Sequence, residues 1–202
     1  MDTEPNFKER ILQSTLELIL TGKAAILNFE MIAEHASLTL ETISSLYKDV
    51  DAISLELTSI SLTKHREESL ALSKQKGLEA LSQLLTHDLK FFYDLEIDRK
   101  IVGSSQYSES FRLFDEYIEN DLPQIYFQFL EHNKDLIPSD ETDLFYYSHF
   151  IAHSILFFNR AHLSPFINKL EDRKHITEQI IASLFGRTQI QLSKFQTQDE
   201  QH

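Results

Sequence analysis

Residues 28–53, with the sequence NFEMIAEHASLTLETISSLYKDVDAI, decide the fold of this chain. Asn28, Thr39 and Asp49 are residues of the kind that accept a hydrogen bond from the first turn of a helix. Apolar residues at helical spacing follow each of them, which predicts two short helices and a longer third one. A turn of about three residues separates the two short helices, and this geometry is the one that presents a helix to the major groove of DNA.

One more helix is predicted before this stretch, starting near Asn6 and ending near Gly22. Together with the two short helices it makes a three-helix head, and we assign residues 1–50 to a helix-turn-helix, DNA-binding-like domain. Residues 51–195 then form a larger helical body. The polar residues 196–202 are predicted to be a disordered tail.

The composition predicts an all-α protein of about nine helices. Only four glycines and four prolines occur in 202 residues, whereas an all-β chain needs many tight turns built from these residues. The aromatic residues are unevenly distributed, because 13 of the 15 phenylalanines follow residue 90. The body therefore has large flat side chains with which to fill a core or line a cavity.

Several classes of site and location are disfavoured. The chain has no cysteine and a net charge of −13, which excludes disulfides and thiolate metal sites and disfavours general affinity for nucleic acid. The longest apolar run, residues 144–158, is shorter than the roughly 20 residues of a membrane span. The acidic start does not resemble a signal peptide. We expect a cytoplasmic protein without membrane contact.

Residue-level similarity strengthens the interpretation of the head. The order and nearly the spacing of several motifs resemble the N-terminal signature of the tetracycline-repressor (TetR) family of bacterial transcriptional regulators, over about residues 8–57. The motifs are KERIL at 8–12, LELI at 16–19, IAEHA at 32–36, TI at 42–43 and DAI at 51–53. The resemblance implies a homodimer, in which the last two long helices of each subunit form a four-helix bundle. It also implies a ligand cavity in the body that changes the spacing of the heads.

Carrying the family pattern over gives a set of DNA-binding residues on and beside the recognition helix. They are Thr39, Thr42, Ser44, Ser45, Tyr47 and Lys48.

The sequence departs from the family pattern at four positions. Ser37 replaces the usual glycine of the turn, Glu41 replaces a small glycine of the recognition helix, Ser44 replaces a tyrosine and Val50 replaces a lysine. A carboxylate at position 41 faces the DNA phosphates.

Charge weakens the DNA-binding interpretation independently of any family. Residues 1–60 contain four basic and ten acidic residues, a net charge of −6. A protein that neutralises roughly 6–10 phosphates needs a similar number of cationic or amide donors. The alternative is therefore a TetR-derived interaction or ligand-sequestering protein that has lost DNA binding.

The aromatic residues of the body suggest a cavity for an apolar or aromatic small molecule, although such side chains more often fill an ordinary core. The candidates are Phe91, Phe92, Phe111, Phe114, Tyr126, Phe127, Tyr146, His149 and Phe150.

The helix predicted over residues 139–162 is apolar on two opposite faces, and so is the last helix. Two apolar faces must both be buried, and dimerisation supplies the second surface unless the chain's own helices cover both. The residues assigned to the dimer interface are Tyr147, Ser148, Ile151, Ile155, Phe158, Ile176, Ile180 and Leu184. The sequence leaves open which face of the 139–162 helix meets the partner.

Evidence for metal binding or catalysis is weak. His149 and His153 are four residues apart, a spacing that suits two metal ligands, but no acidic or cysteine ligand accompanies them. We therefore predict no metal site and no cofactor. No phosphate loop, nucleophile elbow or zinc-protease motif occurs, so we predict a protein that is not an enzyme. The sequence favours a ligand-responsive regulator that binds operator DNA as a dimer.

Overall fold

The protein, in a computed structural model that describes residues 6–21, 27–102, 108–136, 141–160 and 169–184, is all-α, as predicted. The described residues form nine α-helices and one π-helical turn, and they contain no strand. In chain order these are α1 (Phe7–Leu20), α2 (Phe29–Ala36), α3 (Leu40–Leu46), α4 (Val50–Leu72), α5 (Leu78–Val102), α6 (Ser108–Glu116), the π-helical turn (Tyr117–Asp121), α7 (Leu122–His132), α8 (Glu141–Arg160) and α9 (Leu170–Leu184).

The helix starts predicted from capping residues are confirmed. The side chain of Asn28 accepts a hydrogen bond from the amide of Met31 at 2.8 Å. Thr39 caps α3 in the same way, and Asp49 accepts from the amide of Ala52 at 2.8 Å at the start of α4. These bonds pair amides that have no partner inside the helix, so short-range sequence fixes where each helix begins.

Packing divides the chain into two compact units. One contains the described residues up to Lys64 together with 94–117, and the other contains 65–93 together with the described residues from Ile118 onward. The predicted boundary between head and body, near residue 50, lies at the start of α4. No chain break separates head from body there, because α4 is one continuous helix from Val50 to Leu72.

In the first unit, α1, α2 and α3 pack against one another. Their buried side chains form one apolar cluster, which Leu27 and Ile53 extend beyond the three helices. Its members are Ile11, Leu18, Ile19, Leu27, Ile32, Ala33, Ile43, Tyr47 and Ile53.

In the second unit, α8 packs against both α7 and α9. The turn between α4 and α5 is fixed by Asn133, which follows α7. Its side-chain oxygen accepts from the amide of Gly77 at 2.9 Å, while its Nδ2 donates to the carbonyls of Gln75 and Phe129. Gly77 has φ of +93°, a conformation that suits glycine.

The helical path through residues 117–122 is continuous. α6 and α7 are joined without interruption by the π-helical turn, and α7 begins at Leu122. Pro123 lies in the first turn of α7. Proline has no N–H to donate to a carbonyl four residues earlier, and a wider turn accommodates this loss without ending the helix.

Some predicted features lie outside the described residues. These are the break at Gly103–Ser105, the helix start at Pro138 and Ser139, and the continuation of the last helix beyond Leu184. Among the described helices, none combines the length and the apolar character required to cross a bilayer.

Candidate functional site

The turn between α2 and α3 begins with a residue in the left-handed conformation. Ser37 ends α2 in the left-handed region, with φ of 52° and ψ of 48°, and its amide donates to carbonyls of the last turn of α2. The guanidinium group of Arg10 on α1 donates to the carbonyls of Ala36 and Ser37. Arg10 therefore stabilises the C-terminal end of α2, where carbonyls lack helical partners.

Hydroxyl groups follow the outer surface of α3. Thr39, Ser44 and Ser45 are exposed and Thr42 is half-buried. The hydroxyl of Ser44 donates to the carbonyl of Glu41 at 3.2 Å, and that of Ser45 donates to the carbonyl of Thr42 at 2.8 Å. A hydroxyl has a single proton to donate, so these serines must rotate before they can donate to a phosphate.

Tyr47 is a core residue of the head. It is buried, and its hydroxyl donates to Oε2 of Glu56 at 3.0 Å. Burial and the Glu56 carboxylate both raise the pKa of Tyr47 far above the ordinary value for a phenol. Its hydroxyl proton therefore takes part in the hydrogen bond to Glu56. The family resemblance had instead assigned Tyr47 to the DNA-binding surface.

The described basic residues of the head have acceptors within the head itself. Lys8 Nζ lies 2.8 Å from Glu56 Oε1, and Arg10 donates to backbone carbonyls. Lys48 is exposed, and its Nζ lies 3.6 Å from a carboxylate oxygen of Asp49. Binding a phosphate would require these cations to exchange one partner for another.

The aromatic residues predicted to line a cavity have different environments. Phe92 and Tyr126 are buried, while Phe91, Phe127 and His149 are half-buried. Phe114 is buried in the other packing unit, and the side chain of Phe111 lies outside the described part of the chain. Tyr146 and Phe150 are exposed on α8.

The two faces of α8 also differ from their expected roles. Ser148, Ile151 and Ile155, assigned to the dimer interface, are buried within the subunit's own fold, whereas Tyr147 and Phe158 are half-buried. On α9, Ile176, Ile180 and Leu184 are likewise buried. The exposed aromatic face of α8 is the opposite one, and it consists of Phe145, Tyr146, Phe150 and Phe157.

The second unit contains a buried polar cluster that the sequence analysis did not identify. His65 and Ser69 lie one turn apart on α4, and Asp88 on α5 faces them. Asp88 Oδ1 lies 2.9 Å from His65 Nε2 and accepts from the Ser69 hydroxyl at 2.8 Å. Asp88 Oδ2 accepts from the Tyr126 hydroxyl at 2.6 Å. The side chains of His65 and Asp88 are both 0% exposed.

His87 lies beside this cluster. Its ring is parallel to that of His65, with centroids 5.0 Å apart. His87 Nε2 is buried without a hydrogen-bond partner among the described residues, and Oε2 of Glu68 lies 3.7 Å away. Burial lowers the pKa of His87, and the neighbouring Asp88 carboxylate opposes that shift. Burial therefore favours the neutral imidazole.

One feature of the sequence could have indicated this buried polar cluster. The pair His87–Asp88 interrupts the apolar stripe of α5, and buried charged residues are rare unless they are paired. The pattern could not predict that Asp88 contacts residues of α4 and α7.

The histidine pair that we considered as a metal site lies on α8. Nδ1 of His153 is 2.8 Å from the carbonyl of His149, and the ring centroids are 6.2 Å apart. His153 thus uses one ring nitrogen in bonding to its own helix.

Comparison with known proteins identifies the fold. No protein-family model matches the sequence, and no curated protein does so significantly. Three solved chains match structurally. One of them, described as "Clostridium perfringens putative fatty acid metabolism regulator", has a TM-score of 0.58 and 19% identity, and the match covers 89% of this chain and 98% of that one. At this identity the likeness shows that the two chains share a fold.

Proposed function

We propose that this protein is a dimeric transcriptional regulator that binds operator DNA through α3. The observation that carries the proposal is the geometry of the head: α3 follows α2 after a left-handed turn at Ser37 and begins at the cap Thr39. Exposed hydroxyls and the N-terminus of α3 are groups that can contact phosphates. The shared fold with a protein named as a regulator supports the same conclusion.

The exposed aromatic face of α8 supports the dimer. The exposed side chains of α8 are mostly aromatic, whereas those of α9 are mostly polar. Several large apolar side chains exposed on one helix are typical of an interaction surface. Tyr146, Phe150 and Phe157 recur at intervals of four and seven residues, so they form one stripe along the helix. A second copy of the chain can cover this stripe by packing α8 against α8.

The decisive experiment is fluorescence anisotropy of labelled DNA from the region upstream of the protein's own coding sequence. We expect sequence-selective binding that weakens as the salt concentration rises. Unlabelled DNA of scrambled sequence is the control. A purified ligand-free dimer that binds neither DNA at 50 mM salt would refute the proposal.

The alternative is a regulator-derived interaction or ligand-sequestering protein without DNA binding. It is favoured by the net charge of −6 over residues 1–60 and by the acceptors that lie beside Lys8, Arg10 and Lys48. Selective binding in the anisotropy experiment would exclude it.

We further propose that an apolar or aromatic small molecule bound in the body controls the DNA affinity. Phe91, Phe127 and His149 are half-buried, so each has one part in the core and another part that a ligand entering from solvent can reach. The name of the structurally similar regulator makes fatty acids of graded chain length the first ligands to test. Thermal unfolding should shift upward with a binding ligand, because a ligand that binds only the native state stabilises it.

A further inference from the structure

We propose that His65, His87 and Asp88 form a binding site for a divalent transition-metal ion, of which zinc is the best fit. One donor atom from each of the three residues lies within 4.8 Å of the others. This inference depends on the second unit alone and not on DNA binding.

The distances require only small adjustments. For three atoms no more than 4.8 Å apart, some point lies within about 2.8 Å of all three, and zinc–ligand distances are about 2.0–2.2 Å. Movements of less than about 1 Å per donor therefore complete the site. His87 is only partly buried, with 28% of its side chain exposed, so its ring has room to turn.

His65 and Asp88 are close to the separation of adjacent ligands. Their 2.9 Å contact is about 0.4 Å shorter than the roughly 3.3 Å between two tetrahedral ligands that each lie about 2.05 Å from a zinc ion. When the metal binds, the ion takes the place of the hydrogen between His65 Nε2 and Asp88 Oδ1, and the displaced proton passes to solvent.

The surroundings of Asp88 resemble the outer shell of a metal site. Tyr126 donates to Oδ2 and Ser69 donates to Oδ1, so the carboxylate is held with one oxygen toward His65. Such hydrogen bonds orient the metal ligands and increase the affinity for the metal ion. Glu68 adds a second carboxylate on the partly exposed side, 3.7 Å from His87 Nε2.

The donor set selects the kind of metal. Two imidazoles and one carboxylate are nitrogen and oxygen ligands of intermediate softness, which favour zinc and similar divalent ions over calcium or magnesium. Three protein ligands leave at least one coordination position open. A small molecule with a carboxylate or hydroxyl group can occupy that position.

The test is a titration of the chelator-treated full-length protein with Zn²⁺ by calorimetry, repeated with Co²⁺ by visible absorption. We expect one ion per chain and an increase in the unfolding temperature with Zn²⁺. His87→Phe removes one ligand and keeps a flat ring, and its affinity should fall by more than 100-fold. Tyr126→Phe leaves the three ligands in place and should weaken binding by about 10–100-fold.

His153→Phe is the matched control, because it removes a histidine of the α8 pair and leaves the proposed site intact. It should bind Zn²⁺ as tightly as the wild type. His87→Phe should unfold at the wild-type temperature in the absence of metal, since His87 Nε2 makes no hydrogen bond to lose. Wild-type protein without stoichiometric binding would overturn the proposal, and so would a His87→Phe variant that binds as well as the wild type.

Discussion

Single buried polar residues hold the second unit together. Asn133 is 4% exposed and makes three hydrogen bonds, two of which reach the turn between α4 and α5. A buried amide or carbonyl that loses its partner costs about 1–3 kcal/mol. The geometry of this turn therefore depends on one side chain that is more than fifty positions distant in sequence.

We expect Asn133→Ala to lower the free energy of unfolding by about 2–4 kcal/mol, because the amide of Gly77 loses its acceptor and two carbonyls lose a donor. Urea denaturation measures this change. The control is Lys134→Ala at the exposed neighbouring position, which should change stability by less than about 0.5 kcal/mol. Equal effects of the two substitutions would contradict this assignment.

At the surface of the head, Glu41 on α3 is the residue whose charge we expect to oppose DNA binding. We expect Glu41→Lys to tighten DNA binding by roughly three- to tenfold near 100 mM salt, because it replaces a phosphate-repelling charge with a phosphate ligand. The slope of log affinity against log salt should become steeper by about one.

The control for Glu41→Lys is Glu171→Lys on α9, which changes the net charge equally but lies in the other unit. Salt-dependent anisotropy distinguishes the two variants. If both tighten binding to the same extent, net charge rather than a local contact is responsible.

At the scale of elements, the turn from α2 to α3 carries the local strain of the head. Ser37 has a φ of 52°, and it is the one positive-φ residue other than glycine among the described residues. A side chain in this region costs energy that glycine avoids.

Ser37→Gly should therefore raise the free energy of unfolding by about 0.5 kcal/mol, since relief of strain exceeds the added freedom of the unfolded chain. Ser37→Val should lower it by more than about 1 kcal/mol, because a branched side chain tolerates this conformation poorly. Thermal unfolding at one fixed protein concentration tests both. A stabilising valine would show that the turn is not left-handed in solution.

At the scale of the whole molecule, the exposed aromatic face of α8 is the surface through which we expect copies of the chain to associate. Tyr146 is 66% exposed and Phe157 is 63% exposed, although aromatic side chains are the residues that contribute most to interfaces. Covering these side chains removes apolar surface from water, and each Å² of apolar surface that is buried stabilises the complex by roughly 25 cal/mol.

We expect the double substitution Phe150→Glu and Phe157→Glu to weaken self-association by at least 100-fold, because it places like charges in the centre of the proposed interface. Sedimentation equilibrium measures the change, and circular dichroism verifies that the helices remain. Gln179→Glu, on the exposed polar face of α9, is the control and should leave association unchanged. A wild-type protein that stays monomeric at micromolar concentration would contradict the prediction.

The helical class and the starts of the short helices follow from residue types and their short-range spacing. Asn28, Thr39 and Asp49 each accept from an amide three residues away, and interactions of this range can be predicted from residue types and spacing. The periodicity of α8 likewise showed that two faces are apolar. It could not show which face the chain buries, because both faces carry the same kind of side chain.

The surroundings of the candidate functional residues, in contrast, depend on contacts between helices that are distant in sequence. The buried Tyr47 donates a hydrogen bond to Glu56, and Asp88 is held between α4 and α7 by His65 and Tyr126. These partners are separated by 9, 23 and 38 positions. Contacts at such separations depend on how whole helices pack, and the residue types alone permit many arrangements. The head was therefore recognisable from sequence, whereas the buried cluster of the second unit was not.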